Sequence, residues 1–351
     1  RAELVRRADF DLHGLPPTPE QVAAFINDER TDAFERLIDE LLASPRYGER
    51  WAQHWLDVVR FAESDGYRAD GYRSGTWKYR DYVIRSLNED KPYDEFVRDQ
   101  LAADEFAPHD PDRLIATAFL RLGIYEWNQR NARMQWDIIM TEMTNVTAEA
   151  FLGIGIGCAQ CHDHKFDPIL QKDHFALQAF LNTTWWPENS PLAGAEEKAE
   201  YDRQNEKWEA ATAEIRKEIK ALQQNKLDGS LSFTVKQFPE DIQKIYYKPS
   251  NERTAYEEQL AQLVQRQVDH NWNRIKWESE FKKKEDRLEQ YEKLKAELAK
   301  FDHLKPKEFP NGFIATDIKP EPAKTYLAKR SGKEEVEPAF LTLLGQPAPK
   351  I

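Results

Sequence analysis

The sequence predicts a mainly α-helical protein. Apolar residues recur every three or four positions through most of the chain up to Trp186. Heptad spacing takes over between about 196 and 300, and period-two alternation is confined to the tail beyond Phe309. With 40% hydrophobic and 12% aromatic residues the chain can build a sizeable core. The 32% of charged residues then require a strongly solvated helical segment outside that core.

Taken in order, residues 1 to about 15 read as a helix ended by Pro16-Pro17. Thr18 is the expected N-cap of the next helix, with Pro19 at the first helical position and Gln21 completing a capping box. Helices follow near 19–29 and 31–43. Ser44-Pro45-Arg46-Tyr47-Gly48 breaks the second, and an aromatic helix runs from about 49 to 62. His54 stands one turn from Trp51 and Val58 there and is expected to point inward. The tandem Asp-Gly-Tyr-Arg from Asp65 to Arg73 lacks the ligand spacing of an EF-hand and reads as a pair of surface turns. Two helices flank Asp90-Lys91-Pro92, another spans about 111–121, and Tyr125 to Arg130 reads as a loop near a pocket. An amphipathic segment from Met134 to Leu152 then leads to Cys158, and a short helix through His174, Leu177 and Phe180 precedes Trp185-Trp186-Pro187.

Past Pro191, Tyr201, Trp208, Ile215 and Leu222 stand seven apart, and a second seam runs from Leu260 to Leu298. Gly229, Pro239 and Pro249 separate the two, so they are expected to fold back as an antiparallel coiled-coil hairpin. Short strands are expected at 313–318 and 323–327, followed by a proline-marked linker to a further domain. The resulting division is 1–190, a helical domain; 191–306, the hairpin; and 307–351, a short β-containing tail. No apolar run reaches membrane-spanning length, and a net charge of −12 argues against nucleic acid as a partner. The chain begins at Arg1, so an export signal is expected upstream.

Chemistry concentrates between Gly153 and Pro168. Both cysteines of the chain, Cys158 and Cys161, are followed by His162, and Gly153, Gly155 and Gly157 precede or join them. Cys-x-x-Cys-His is the attachment pattern of c-type haem: two thiols bond the macrocycle and the adjacent imidazole reaches the iron. The glycines would admit a planar group close to the backbone. Three other readings stay open: a redox dithiol or disulfide, a zinc site using Cys158, Cys161 and His164, and two structural cysteines beside an unrelated histidine. If haem c is bound, His162 is the proximal ligand, and His54 is the first candidate for the distal position, with Met143 the alternative. An open distal site would instead suit a haem-dependent oxidoreductase acting on a carbohydrate or peroxide. Its candidate catalytic residues are Asp57, Arg60, Asp65, His164 and Asp167. A third reading makes the hairpin a scaffold for other chains.

Asp11-Leu12-His13-Gly14-Leu15-Pro16-Pro17-Thr18-Pro19, the run Glu49 to Asp57 and the run Gly157 to Pro168 together resemble the planctomycete-type cytochrome proteins over residues 1 to about 187. In that family such a domain of unknown function accompanies a separate cytochrome domain in large exported proteins. The resemblance implies a periplasmic or extracellular location and an association with polysaccharide degradation. The expected partners are a redox partner or neighbouring cytochrome domain of the same polypeptide and a possible polysaccharide substrate. Electron transfer through haem c within an exported assembly is therefore the leading expectation.

Overall fold

The computed structural model describes residues 1–66, 70–126, 129–188, 190–282, 285–329 and 332–349. Helices α1 (Ala2–Leu12), α2 (Pro19–Asn27) and α3 (Ala33–Leu42) form a small N-terminal cluster over Val5, Phe25 and Ala33. The capping box before α2 forms as expected: Gln21 N–H donates to Thr18 Oγ1 at 3.3 Å, and Thr18 N–H donates to Gln21 Oε1 at 2.7 Å. Helix α4 (Pro45–Val58) begins four residues before the expected start near 49. Ser44 caps it and Pro45 occupies the first turn, so the apparent breaker is a start signal. Gly48 sits within that first turn because a Cβ there would lie 2.5 Å from the Ile84 carbonyl oxygen, where α4 crosses α5 (Trp77–Asn88).

Helix α6 (Tyr93–Phe106), the short α7 (Pro111–Leu114) and a 3-10 segment over Ile115–Arg121 continue the same layer. Helix α8 (Ala132–Thr147) ends in a π-turn over Ala148–Leu152, closed by Gly153 at φ +65°. Helix α9 (Gln171–Leu181) follows the cysteine loop and leads into β1 (Thr184–Trp185). Strand β1 pairs antiparallel with β2 (Thr316–Asp317), and β3 (Thr325–Lys329) pairs with β4 (Gly332–Val336). The fold is thus mainly α, with two two-stranded sheets among the described residues.

The charged segment forms α10 (Ala195–Val235), α11 (Glu240–Tyr247), α12 (Ala255–Asn273), α13 (Trp277–Phe281) and α14 (Glu285–Ala299). Helix α10 runs through Gly229 instead of ending there as expected. One interior glycine costs only about 1 kcal/mol relative to alanine, and burial of Thr234 and Val235 one turn beyond offsets it. The return side is antiparallel, since Asn271 and Trp272 bond Thr234 and Leu227, and Glu280 pairs with Lys226. It is not one helix: α12 buries Leu260, Leu263, Val264 and Val268 in the main core, whereas Tyr291 and Leu294 of α14 belong to the side facing α10. The break at 274–276 allows each helix its own buried face.

The boundary expected at 190 does not coincide with an edge of the core. A single cluster joins α4, α5 and α8 to Trp185 and Trp186, to Val235, Phe238 and Ile242, to α12, and to Phe313, Ile314 and Ala315. The Asp65–Arg73 turns reach the surface at Asp70 and Tyr72 but are anchored inside at both ends. Asp65 and Arg73 are buried and Arg73 Nε donates to Asp65 Oδ1 at 2.8 Å, while Tyr67, Arg68 and Ala69 lie outside the described residues. Trp127 and Asn128 of the expected loop do so too. Among the described residues no helix is long and apolar enough to cross a membrane.

Because α12 completes the core, removal of residues 191–306 should abolish cooperative urea unfolding. Leu260→Ala should cost about 2–5 kcal/mol, whereas the same change at half-buried Ile219 of α10 should cost under about 1.5 kcal/mol. Equal losses at the two positions would contradict this packing.

Candidate functional site

The cysteine loop is a 3-10 turn over Gly157–Gln160. Side chains three apart eclipse one another in such a turn, so Cys158 and Cys161 share one side and Ile156 and Ala159 share another. Ile156 and Ala159 are fully buried in a small cluster with Ala148, Ile169 and Leu341. Both cysteines are exposed and free. His162 is also exposed, and its Nδ1 lies 2.6 Å from the Asp163 carbonyl oxygen. Only an Nδ1–H can satisfy that carbonyl, which leaves the lone pair on Nε2.

The loop is braced from three directions. Gln160 Nε2 donates to Thr141 Oγ1 of α8 at 3.1 Å, and Gln171 of α9 donates through Nε2 to the Gln160 carbonyl and through its backbone to Asp163 Oδ1. His164 closes the next turn: its backbone N–H donates to Ile169 O at 2.8 Å, and its Nδ1 accepts from Asp167 N–H at 2.9 Å with the Asp167 carboxylate 3.1 Å away. Asp173 caps α9 by accepting from Leu170 N–H, and its other oxygen accepts from both the backbone and the hydroxyl of Thr342. The C-terminal tail is thereby fixed beneath the loop.

His174 lies behind the loop and is fully buried. Its Nε2 donates to Asn145 Oδ1 at 3.3 Å, while the Asn145 amide rests 3.2 Å from where a Cβ on Gly157 would stand. No partner reaches His174 Nδ1 among the described residues. Burial pushes the imidazole pKa down to about 4, so His174 is neutral and serves as a prop rather than a ligand.

The other expected site residues separate into three places. His54 is exposed, with its ring 5.5 Å from that of Trp51, and does not point inward. The buried face of α4 is Ala52, Trp55, Leu56 and Val59, so Trp51, His54 and Val58 form a neighbouring, solvent-facing stripe. Met143 is buried in the main core. Two residues from both Thr141 and Asn145, it projects from the side of α8 opposite the cysteine loop. Asp57 is exposed on α4, and His164 and Asp167 remain with the cysteine loop. Arg60 and Asp65 instead enter a cleft on another face of α8, lined also by Glu142 and Met143. That cleft gathers Arg73, Arg121, Glu188 and Arg266 from distant parts of the chain, and only the Tyr125 loop signalled it in the sequence.

Among the described residues no group of three or more His, Cys, Asp or Glu side chains is placed to hold a metal ion, so the zinc arrangement of Cys158, Cys161 and His164 is not formed. A thioether-linked macrocycle asks for less: two accessible thiols on one side, an imidazole nitrogen with a free lone pair, and room over the backbone. The loop has each of these. A Cβ at Gly153 or Gly155 would meet nothing within 4 Å, and Leu152, Phe166 and Leu170 around it are exposed. Phe166, at 83% exposure, is an unusual residue to leave in water and is available to cover an apolar group.

Fold and loop together define a mainly α-helical protein that presents two free thiols and a histidine on one exposed, firmly braced turn. Residues 1–185 match the PSCyt2 family model, described as a protein of unknown function (DUF1549), and the chain belongs to this family. No curated protein and no solved structure matches it.

The buried neutral His174 gives the fold a pH dependence of known sign. Its folded pKa lies below the unfolded value of about 6.5, so the unfolded chain binds the extra proton between the two, and stability falls as pH drops from about 6.5 to about 4. The loss at the lower end is on the order of 3 kcal/mol. His174→Gln should flatten that interval of a stability–pH profile measured by urea unfolding; an unchanged profile would assign the buried imidazole no part in it.

Proposed function

We propose that this protein is a c-type haem protein, joined to haem c through Cys158 and Cys161 with His162 as the proximal iron ligand. It passes electrons within an exported, periplasmic or extracellular assembly linked to polysaccharide degradation. The observation that carries the reading is the set of three donors on one turn: paired exposed thiols, and an imidazole whose Nδ1 is tied to the Asp163 carbonyl so that Nε2 is presented. Haem held in this way supplies a one-electron iron couple. The chain's part is to fix the thiols by burying Ile156 and Ala159, and to fix the tautomer of His162 through Asp163. Leu152, Phe166 and Leu170 form an apolar rim, and an exposed rim of that kind suits a neighbouring cytochrome domain of the same polypeptide as the redox partner.

One observation favours the alternative of a haem-dependent oxidoreductase acting on a carbohydrate or peroxide. Met143 faces away from the loop, and His54 lies on a solvent-facing stripe of α4. An iron position left without an internal sixth ligand exchanges small molecules. Of the candidate catalytic residues, His164 and Asp167 are then the ones that share the loop with the proximal histidine.

The protein should be exported in a host with a c-type maturation system. Intact mass should rise by one haem, and the pyridine-treated protein should show a thioether-type haem spectrum. Cys158→Ala with Cys161→Ala should abolish both signals. An unmodified mass for the folded wild-type protein would refute the haem assignment. Ready cyanide binding by a high-spin ferric form would select the oxidoreductase over simple electron transfer.

A further inference from the structure

The cleft on the far side of α8 draws four guanidinium groups and three carboxylates to one place, an excess of one positive charge in a largely buried setting. Three of the arginines have evident structural partners. Arg73 donates to Asp65, to Leu122 O at 3.1 Å and to Gly123 O. Arg266 donates to Trp186 O at 3.0 Å, pairs with Glu188 and lies over the rings of Tyr125, Trp185 and Trp186. Arg60 donates to Glu142 Oε1 at 2.8 Å.

Arg121 differs from these. Its side chain is 13% exposed, its nearest carboxylate is Glu188 at 3.6 Å, and its guanidinium donates no hydrogen bond among the described residues. It lies 4.1 Å over the Phe313 ring. Burial, and the charges of Arg266 and Arg73 beside it, push its pKa well below the usual guanidinium value. Arg121 is thus a largely buried cation whose nearest carboxylate stands beyond good hydrogen-bond distance, and an incoming anion would pair with it more closely.

Arg60 supplies a second, independent observation. It occupies the left-handed position just past the end of α4, at φ +59°. Phe61 N–H bonds Leu56 O and Arg60 N–H bonds Asp57 O, the pattern in which that position is normally glycine. An arginine held there is strained, and strain of this kind collects at functional sites. The side chain so placed enters the cleft with its Nε buried and without a hydrogen-bond partner among the described residues.

We propose that this cleft binds a small oxyanion group, a carboxylate or a tetrahedral sulfate or phosphate, through Arg121 and Arg60. The enclosed free volume is about 30 Å³, room for a single charged head group rather than a whole metabolite. Anything larger must extend through the mouth into solvent. Glu142 and Glu188 at the wall accept hydrogen bonds, so hydroxyl groups beside the charged group would find partners.

The test is isothermal titration and thermal unfolding of the full chain with sodium sulfate, sodium phosphate and sodium acetate, each against sodium chloride at matched ionic strength. Saturable binding is expected for at least one of the three. A response to acetate alone identifies a carboxylate, and one to sulfate or phosphate identifies a tetrahedral group. Arg121→Gln should weaken binding about ten-fold or more. It should leave the melting temperature in chloride unchanged or raise it, because it removes a crowded charge; a merely structural arginine would lower it. Arg121→Lys should recover part of the affinity. If Arg121→Gln does not fold, Arg60→Gly, which suits the backbone, decides the matter by the same loss of saturable binding. No saturable response to any of the three salts, or an identical response in wild type and variants, overturns the proposal.

Discussion

The position of Arg266 against Trp185 and Trp186 is the contact on which most of the architecture depends. The two indoles stack with ring centroids 5.3 Å apart and Trp136 of α8 packs on both. Arg266 closes the stack from α12, bonding the Trp186 carbonyl while its guanidinium lies over the rings. Nearby, Gln259 Nε2 of α12 donates to the carbonyls of Asn182 and Thr184. A helix that begins as part of a charged, solvated segment is thereby turned into a wall of the core. The same contact brings Arg266 and Glu188 to the cleft, so the cleft exists only once α12 has docked.

Helix α8 divides the molecule's chemistry. Thr141 and Asn145 face the cysteine loop, while Ile139, Glu142 and Met143 face the cleft. A helix places residues two apart on opposite sides, which is why Met143 cannot serve the loop that its neighbours support. The loop itself depends on little of the main core. It rests on its own cluster, closed by Leu341 from the tail and pinned by the Asp173–Thr342 bonds. Such a turn is rigid beneath and open above, a combination suited to modification of the thiols or to docking against another surface.

Charge is distributed to match. The ion pairs along α10, such as Arg203–Glu200 and Lys217–Glu214, are exposed and contribute little to stability, but they keep a long helix solvated. Buried charge is confined to a few places, including Asp65–Arg73, Arg253–Glu258 and the arginine cleft. There the desolvation cost is best recovered where several hydrogen bonds form, as at Arg73, and least where, as at Arg121, the nearest carboxylate stands 3.6 Å away.

Much of this protein was readable from local sequence. The capping box at Thr18, the helical periodicity, the antiparallel return of the charged segment and the Cys158-to-His162 motif each arise from residues close in the chain, where spacing fixes geometry. What spacing could not decide was which face turns inward. Trp51, His54 and Val58 form a stripe as regular as Ala52, Trp55, Leu56 and Val59, and only the packing of α5 and α6 selects the second. Gly229 and Ser44-Pro45 likewise carry breaker signals that tertiary burial and capping convert into helix. Apart from the Tyr125 loop the arginine cleft has no sequence signature, because its charges come from positions 60 to 266 and meet only when separate segments fold together. Local propensity determined the elements; the distribution of buried area among them, a property of the whole chain, decided the sites.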